Sequence, residues 1–135
     1  MTAEGGRIRV VVADDHGLFR QGVSEMLSLA NGVEVVGEAA DHDGAVELVC
    51  ERRPDVVLLD LEMPGMGADE SIRRMLSLSP PPSVVVFTMH DEPGMVGRLH
   101  RRGATGYFPK SAEMGELVDA VRDAARAPAT PGGTA

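Results

Sequence analysis

Five short apolar runs alternate with five amphipathic stretches, and this alternation narrows the folds open to the chain more than any other feature. The runs are Ile8–Ala13, Val33–Ala39, Val56–Leu59, Val84–Thr88 and Tyr107–Pro109. Helical spacing of apolar residues is found near Leu18–Ala30, Gly44–Arg53, Ala68–Leu78, Pro93–Arg102 and Glu113–Ala127. Because parallel strands need crossover connections, the alternation predicts a doubly wound parallel α/β sheet with five strands and five helices.

The composition of each run predicts its place in the sheet. Within the first, third and fourth runs, the segments VVV, VVLL and VVVF are apolar throughout, as expected for strands buried on both faces. The second run carries Glu34 and Glu38, and the fifth contains Pro109. Charge and proline are tolerated at sheet edges, where one side of the strand needs no ladder hydrogen bonds. With the second and fifth strands at the edges, the order is 2-1-3-4-5, that of flavodoxin-like folds.

Length, charge and cysteine content exclude several classes of protein. A chain of 135 residues fits one domain, predicted over residues 7–127 after a disordered N-terminus at 1–6. The single cysteine, Cys50, excludes an internal disulfide, fits a reducing cytoplasm, and is predicted to be a small core residue. No signal peptide or membrane span is predicted. A net charge of −8 argues against nucleic-acid binding by this chain alone.

Polar side chains follow the carboxyl ends of four predicted strands: Asp14 and Asp15, Asp60, Thr88, and Lys110. In an open parallel sheet, ligands bind beyond these ends, near the switch in strand order. Each residue alone has a structural explanation, such as a helix cap or a turn. Five of them at one rim of the sheet indicate a functional site.

Lys110 is the only lysine among thirteen basic residues. An ammonium group is a compact point charge, whereas guanidinium is a broad planar fork, so the two are not interchangeable. A lone lysine at a strand end indicates an ion pair with a small, charge-dense group such as carboxylate or phosphoryl. Chance retention of a surface lysine is the alternative.

The acidic residues predict a metal site. Clustered carboxylates repel one another, and a divalent cation together with Lys110 would relieve that repulsion. Oxygen ligands favour magnesium, with manganese as the alternative. The histidines have no zinc spacing with Cys50: His16 is expected at the start of the first helix, and His42, His90 and His100 as ordinary helix or loop residues. No glycine-rich nucleotide-binding loop is present in the sequence.

The motifs VVADDHGLFRQGV, EVVGEAAD, PDVVLLDLEMPGM, VVVFTMHDE and GATGYFPKS together resemble the receiver domain of two-component response regulators, in its NarL/LuxR-type subfamily. The resemblance covers Arg7 to Ala127. It implies a CheY-like fold in which Asp60 accepts a phosphoryl group from a sensor histidine kinase. It further implies that Asp15, Asp60 and the backbone carbonyl of Glu62 bind Mg²⁺, while Asp14 assists through water.

The resemblance also implies roles for the remaining site residues. Thr88 would hydrogen-bond the phosphoryl group, Lys110 would pair with it, and Tyr107 would be the aromatic residue that turns when Thr88 moves. Glu62 and His90 occupy the positions that tune phosphorylation and hydrolysis rates. Such a domain is a phosphorylation switch that assists its own modification, not an enzyme with an external substrate.

The implied setting is a bacterial cytoplasm, with homodimerisation on phosphorylation. In this subfamily DNA is bound through a C-terminal helix-turn-helix domain. The segment after Arg126 reads APATPGGTA and lacks apolar periodicity, so residues 128–135 are interpreted as a flexible tail or a truncated linker to such a domain.

Three positions depart from the subfamily pattern, with effects that the sequence does not predict. Gly17 replaces the usual proline, MPGMGADES lacks the usual Asp-Gly, and Pro109 directly precedes Lys110.

Two alternative functions remain open. A phosphohydrolase of the haloacid dehalogenase type would need an aspartate where Glu62 stands, and an unphosphorylated interaction module would not need the full set of site residues.

Overall fold

Strands and helices alternate along the whole of the described chain. A computed structural model describes residues 6–88 and 94–126; the predicted tail, residues 1–5 and His90 lie outside the described residues. The strands are β1 (Ile8–Ala13), β2 (Val33–Ala39), β3 (Val56–Asp60), β4 (Ser83–Thr88) and β5 (Gly106–Pro109). The helices are α1 (Gly17–Leu29), α2 (His42–Arg52), α3 (Ala68–Leu76), α4 (Met95–Arg101) and α5 (Met114–Arg126).

The five strands form one parallel sheet in the order β2-β1-β3-β4-β5, which confirms the predicted fold and strand order. Every residue of β3 and β4 is buried. The edge strand β2 exposes Glu34 and Glu38, and Pro109 ends the other edge strand, β5. The carboxyl ends of β1, β3, β4 and β5 therefore lie side by side at one rim.

Side chains alternate between the two faces of the sheet, so each central strand serves two cores. Val10 and Val12 of β1 pack into a core with α1 and α5. Val11 and Ala13 of the same strand pack into the opposite core, which is covered by α2, α3 and α4. The site at the rim consequently rests on a sheet supported from both sides.

Several predicted details differ in the structure. α2 begins at His42, two residues before the predicted start, because the Asp41 carboxylate caps the helix by accepting from the Gly44 N–H at 2.6 Å. Cys50 is exposed and not a core residue, because it lies outside the buried stripe formed by Ala45, Val46 and Val49. Among the described residues, no helix is both long and apolar enough to cross a membrane.

Candidate functional site

The acidic pair directly follows β1. The Asp14 N–H extends the ladder to β2 by donating to the Ala39 carbonyl at 2.9 Å, and its side chain is fully buried. Oδ1 of Asp14 accepts from the N–H of His16, the residue before α1, at 2.8 Å. The side chain of Asp15 is 36% exposed. One carboxylate is thus locked beneath the rim, while its neighbour faces solvent.

Asp60 is the last residue of β3, and only 1% of its surface is exposed. Its Oδ1 atom accepts a hydrogen bond from the Glu62 N–H at 3.0 Å. Its Oδ2 atom lies 3.2 Å from Nζ of Lys110. The two oxygens of this carboxylate therefore have different partners, a backbone amide and an ammonium group.

Lys110 directly follows the edge strand β5, and its side chain extends towards the acidic residues at the ends of β1 and β3. Its N–H donates to the Thr88 carbonyl at 2.9 Å, which fixes its backbone beside the end of β4. Its Nζ atom lies 2.8 Å from Oδ2 of Asp14 and also faces Asp60, and its side chain is 3% exposed. The only lysine of the chain is therefore a buried counter-charge and not an exposed surface residue.

Two aromatic rings flank the ammonium group. Nζ of Lys110 lies 4.9 Å from the ring centroid of Phe19 and 5.4 Å from that of Phe87. Such contacts favour a cation over a neutral group. Neither phenylalanine is a predicted site residue, although Phe19 stands in the first turn of α1, which is separated from the acidic pair only by His16.

The two residues expected to respond to phosphorylation lie on adjacent strands. Thr88 ends β4 and is 2% exposed; it pairs in register with Pro109 of β5. Tyr107, also on β5, pairs with Val86 and packs partly buried against the core beneath α2, α3 and α4. Both residues make contacts in this arrangement.

Further residues hold the rim in place. Arg20 of α1 donates from Nη1 to the Asp14 carbonyl oxygen at 2.6 Å, and its Nε lies 3.0 Å from Oε1 of Glu38 on β2. His42, expected to be an ordinary helix or loop residue, is fully buried and contacts the carbonyl of Leu61, next to Asp60. The contacts of Arg20 with Glu38 and of His42 with Leu61 have no sequence signal, because they join residues 18 and 19 positions apart in the chain.

The donor set fits a hard divalent cation. Ligand atoms of Asp14, Asp15, His16 and Asp60 all lie within 4.8 Å of one another. Three of the four donors are carboxylate oxygens, the ligand type that magnesium prefers. The exposed side chain of Glu62 stands on the loop directly after Asp60.

Burial and neighbouring charges shift the pKa values of both Asp60 and Lys110. Burial raises the pKa of Asp60 above its usual value, and Asp14 adds to that rise, while the Glu62 N–H and Lys110 partly oppose it. Burial works to lower the pKa of Lys110, but hydrogen bonding and attraction from Asp14 and Asp60 outweigh it, and the pKa is raised. The ammonium group is therefore firmly charged, whereas negative charge on Asp60 carries a desolvation cost.

Known proteins share both sequence and structure with this chain. The profile of the response regulator receiver domain family matches residues 10–122. The chain is 43% identical over 134 residues to a protein named as the transcriptional regulator NarL of Mycobacterium tuberculosis, covering 96% of this chain and 62% of that protein. It is 43% identical over 115 residues to the response regulator GacA of Pseudomonas aeruginosa, covering 85% of this chain and 54% of that protein.

The same likeness holds in three dimensions. The solved signal receiver domain of NarL from Mycobacterium tuberculosis superposes with a TM-score of 0.85 at 43% identity, covering 90% of this chain and 98% of that one. The chain thus spans most of a solved receiver domain but only 62% and 54% of the lengths of the two full-length relatives.

Proposed function

The chain belongs to the response regulator receiver domain family, and from that premise we propose that it is a phosphorylation-activated switch in which Asp60 accepts a phosphoryl group from a sensor histidine kinase. One observation carries the proposal: Nζ of Lys110 lies 2.8 Å from a buried oxygen of Asp14 and 3.2 Å from one of Asp60. A buried carboxylate with an ammonium group at one oxygen is suited to nucleophilic attack on a phosphoryl donor.

The step requires only transfer of the phosphoryl group. An oxygen of Asp60 attacks phosphorus, an acyl phosphate bond forms, and the phosphorus–nitrogen bond to the kinase histidine breaks. Lys110 balances charge on the transferred group, while the Glu62 N–H keeps the other carboxylate oxygen in place. Burial of Asp60 limits access of water to the nucleophile before transfer.

Magnesium, with manganese as the alternative, belongs to the same proposal. Asp15, Asp60 and the Glu62 carbonyl would hold it, with Asp14 assisting through water. When bound, the ion supplies positive charge that offsets the charge of the phosphoryl oxygens. Glu62 and His90, the latter outside the described residues, would tune the rates at which the domain assists its own phosphorylation and dephosphorylation.

Incubation with acetyl phosphate tests the phosphoacceptor directly. We expect the chain to gain one phosphoryl group in the presence of Mg²⁺ and essentially none in excess EDTA, because the carboxylate cluster needs a counter-ion. Intact-mass spectrometry measures the gain, and peptide mapping after reductive trapping places it on Asp60. A stable adduct on another residue would refute the assignment, and steady phosphate release without an adduct would indicate a hydrolase.

The output of the switch is proposed to be a change in self-association. A phosphoryl group on Asp60 would draw Thr88 towards it and leave space for Tyr107 to turn, which alters the surface formed by α4, β5 and α5. In the full-length protein this would control a C-terminal DNA-binding domain in the bacterial cytoplasm, as a transcription regulator.

Beryllium fluoride, which mimics the bound phosphoryl group, is expected to convert a mainly monomeric chain into a homodimer. The mimic binds Asp60 and recruits Thr88 as phosphate would, so it shifts the conformational population without turnover. Sedimentation velocity with and without beryllium fluoride measures the change. An identical sedimentation profile in the two samples would rule out dimerisation as the output.

A further inference from the structure

The imidazole ring of His42 is fully buried at the first position of α2. Its Nε2 atom lies 3.2 Å from the carbonyl oxygen of Leu61, and its Nδ1 atom lies 3.0 Å from Oγ of Ser71 on α3. Buried polar atoms need hydrogen-bond partners, and both ring nitrogens have one. The ring therefore joins α2, α3 and the loop that follows Asp60.

The partners of the ring fix its tautomer. A carbonyl oxygen only accepts hydrogen bonds, so Nε2 of His42 carries a proton and donates it to Leu61. In the neutral ring, Nδ1 then accepts from the hydroxyl of Ser71. Oγ of Ser71 also lies 3.0 Å from the Ala68 carbonyl, so its single proton has two acceptors to choose from. Whichever acceptor the Ser71 hydroxyl uses, Nε2 of His42 donates to the Leu61 carbonyl.

That bond acts on Asp60 through a single peptide group. The carbonyl of Leu61 and the N–H of Glu62 belong to the same planar unit, and the N–H donates to Oδ1 of Asp60 at 3.0 Å. Since the unit is rigid, fixing the direction of its carbonyl fixes the direction of its N–H. The peptide group between Leu61 and Glu62 is thus hydrogen-bonded to His42 through its carbonyl and to the Asp60 carboxylate through its N–H.

The backbone around His42 strengthens this attachment. Its N–H donates to the Pro64 carbonyl at 2.9 Å, and Oδ1 of Asp43 accepts from the Met66 N–H at 3.1 Å. Gly65 has a φ of +114°, and a Cβ there would lie 3.1 Å from Oδ1 of Asp43 and 3.2 Å from the His42 nitrogen. The loop after Asp60 is therefore docked closely on the start of α2.

We propose that His42 is a positioning residue for the phosphoacceptor. By orienting the peptide group between Leu61 and Glu62, it holds Oδ1 of Asp60 in place and leaves Oδ2 directed at Lys110 for attack. The chemical part of this inference rests on the proposed function, whereas the positioning of the Glu62 N–H does not.

Two amide substitutions separate positioning from a purely structural role. In His42→Gln the side-chain amide is long enough to donate to the Leu61 carbonyl, whereas in His42→Asn it reaches only as far as Ser71. We expect His42→Asn to slow phosphorylation by acetyl phosphate about tenfold or more, and His42→Gln to stay within about threefold of wild type. Both substitutions place a neutral amide in the same buried position, so each serves as the control for the other.

Amide hydrogen exchange supplies a readout that needs no phosphorylation. In His42→Asn we expect the Glu62 amide to exchange about tenfold faster, because its peptide group is no longer held, while the Val57 amide in the centre of β3 is unchanged. If His42→Asn does not fold, Ser71→Ala keeps His42 but frees one side of the ring, and a smaller acceleration at Glu62 is expected.

Three results would overturn the inference. They are equal phosphorylation rates in His42→Asn and His42→Gln, an unchanged Glu62 amide in His42→Asn, or an unchanged Glu62 amide in the fallback Ser71→Ala. A wild-type chain that accepts no phosphoryl group would instead refute the proposed function. In that case the exchange experiment still decides whether His42 positions the loop.

Discussion

An Asp60→Asn variant is expected to lose phosphorylation by acetyl phosphate by at least about a thousandfold, because the amide is a near-isostere without a nucleophilic oxygen anion. The fold should be preserved, since the Glu62 N–H can still donate to the amide oxygen at the position of Oδ1. Intact-mass spectrometry over a time course with Mg²⁺ measures the loss.

Asp119→Asn is the matched control, because it makes the same chemical change at an exposed position of α5. It should be phosphorylated at the wild-type rate. Uptake of a full equivalent by Asp60→Asn at that rate would show that the acceptor is another residue.

Asp60→Asn should also stabilise the fold at neutral pH. Burial raises the pKa of Asp60, so the folded state holds the carboxyl proton more tightly than the unfolded chain does. The stabilisation of the fold by this tighter proton binding is fully present at pH values below the ordinary carboxyl pKa of 3.8. It is lost as the pH rises through the folded-state pKa of Asp60. Asparagine avoids that loss, and we expect the free energy of unfolding to rise by about 1 kcal/mol at pH 7.

Urea denaturation of wild type and Asp60→Asn, in EDTA and at several pH values, measures this difference. It should be largest near neutral pH and should disappear below the ordinary pKa of 3.8, where both side chains are uncharged. Lys110 keeps Asp14 as its partner in the variant, so loss of one ion pair should not reverse the sign. A variant that is less stable than wild type at pH 7 would contradict the electrostatic account.

The largest loss of stability is expected from Lys110→Met. Removing the ammonium group leaves the buried carboxylates of Asp14 and Asp60 without their counter-charge, and breaking a buried pair in this way costs about 3 kcal/mol. Because the pKa of Lys110 is raised, its stabilising effect is fully present below the ordinary value of 10.5 and is lost only as the pH rises through the folded-state pKa. Denaturation at pH 7 without metal therefore measures the full effect.

A second substitution distinguishes lost charge balance from lost packing. Adding Asp14→Asn to Lys110→Met removes one of the stranded carboxylates and should recover most of the stability. Lys110→Arg keeps the charge but must fit a wider group between Phe19 and Phe87, so an intermediate loss is expected. If the double variant is no more stable than Lys110→Met, the contacts of the lysine stem and not its charge would explain the result.

The fold was readily predicted because strand burial leaves a direct mark on composition. The apolar segments VVV, VVLL and VVVF lie in β1, β3 and β4, and Glu34, Glu38 and Pro109 marked the two edges. Helix limits were less accurate, since they depend on local caps such as the Asp41 carboxylate at the start of α2. Cys50 was misplaced because periodicity defines a helical stripe but not how wide the buried part of it is.

The rim residues were predicted from strand ends alone, since parallel topology places those ends together. The burial of Lys110 between aromatic rings was not predicted, because the ring of Phe87 comes from β4, twenty-three positions away in the chain. The place of His42 was also missed, because its partner Ser71 is 29 residues distant and lies on another helix. Contacts of this kind depend on how helices dock against the sheet, which no local pattern records.

The peptide group between Leu61 and Glu62 has a consequence for how this chain can diverge. Its two hydrogen bonds, to His42 and to Asp60, use only main-chain atoms of Leu61 and Glu62. Exchanges of either side chain leave both bonds available, so these positions can change during evolution while the acceptor stays aligned. A scan of side chains across this loop would consequently miss the linkage, whereas replacing the amide by an ester through chemical ligation would expose it.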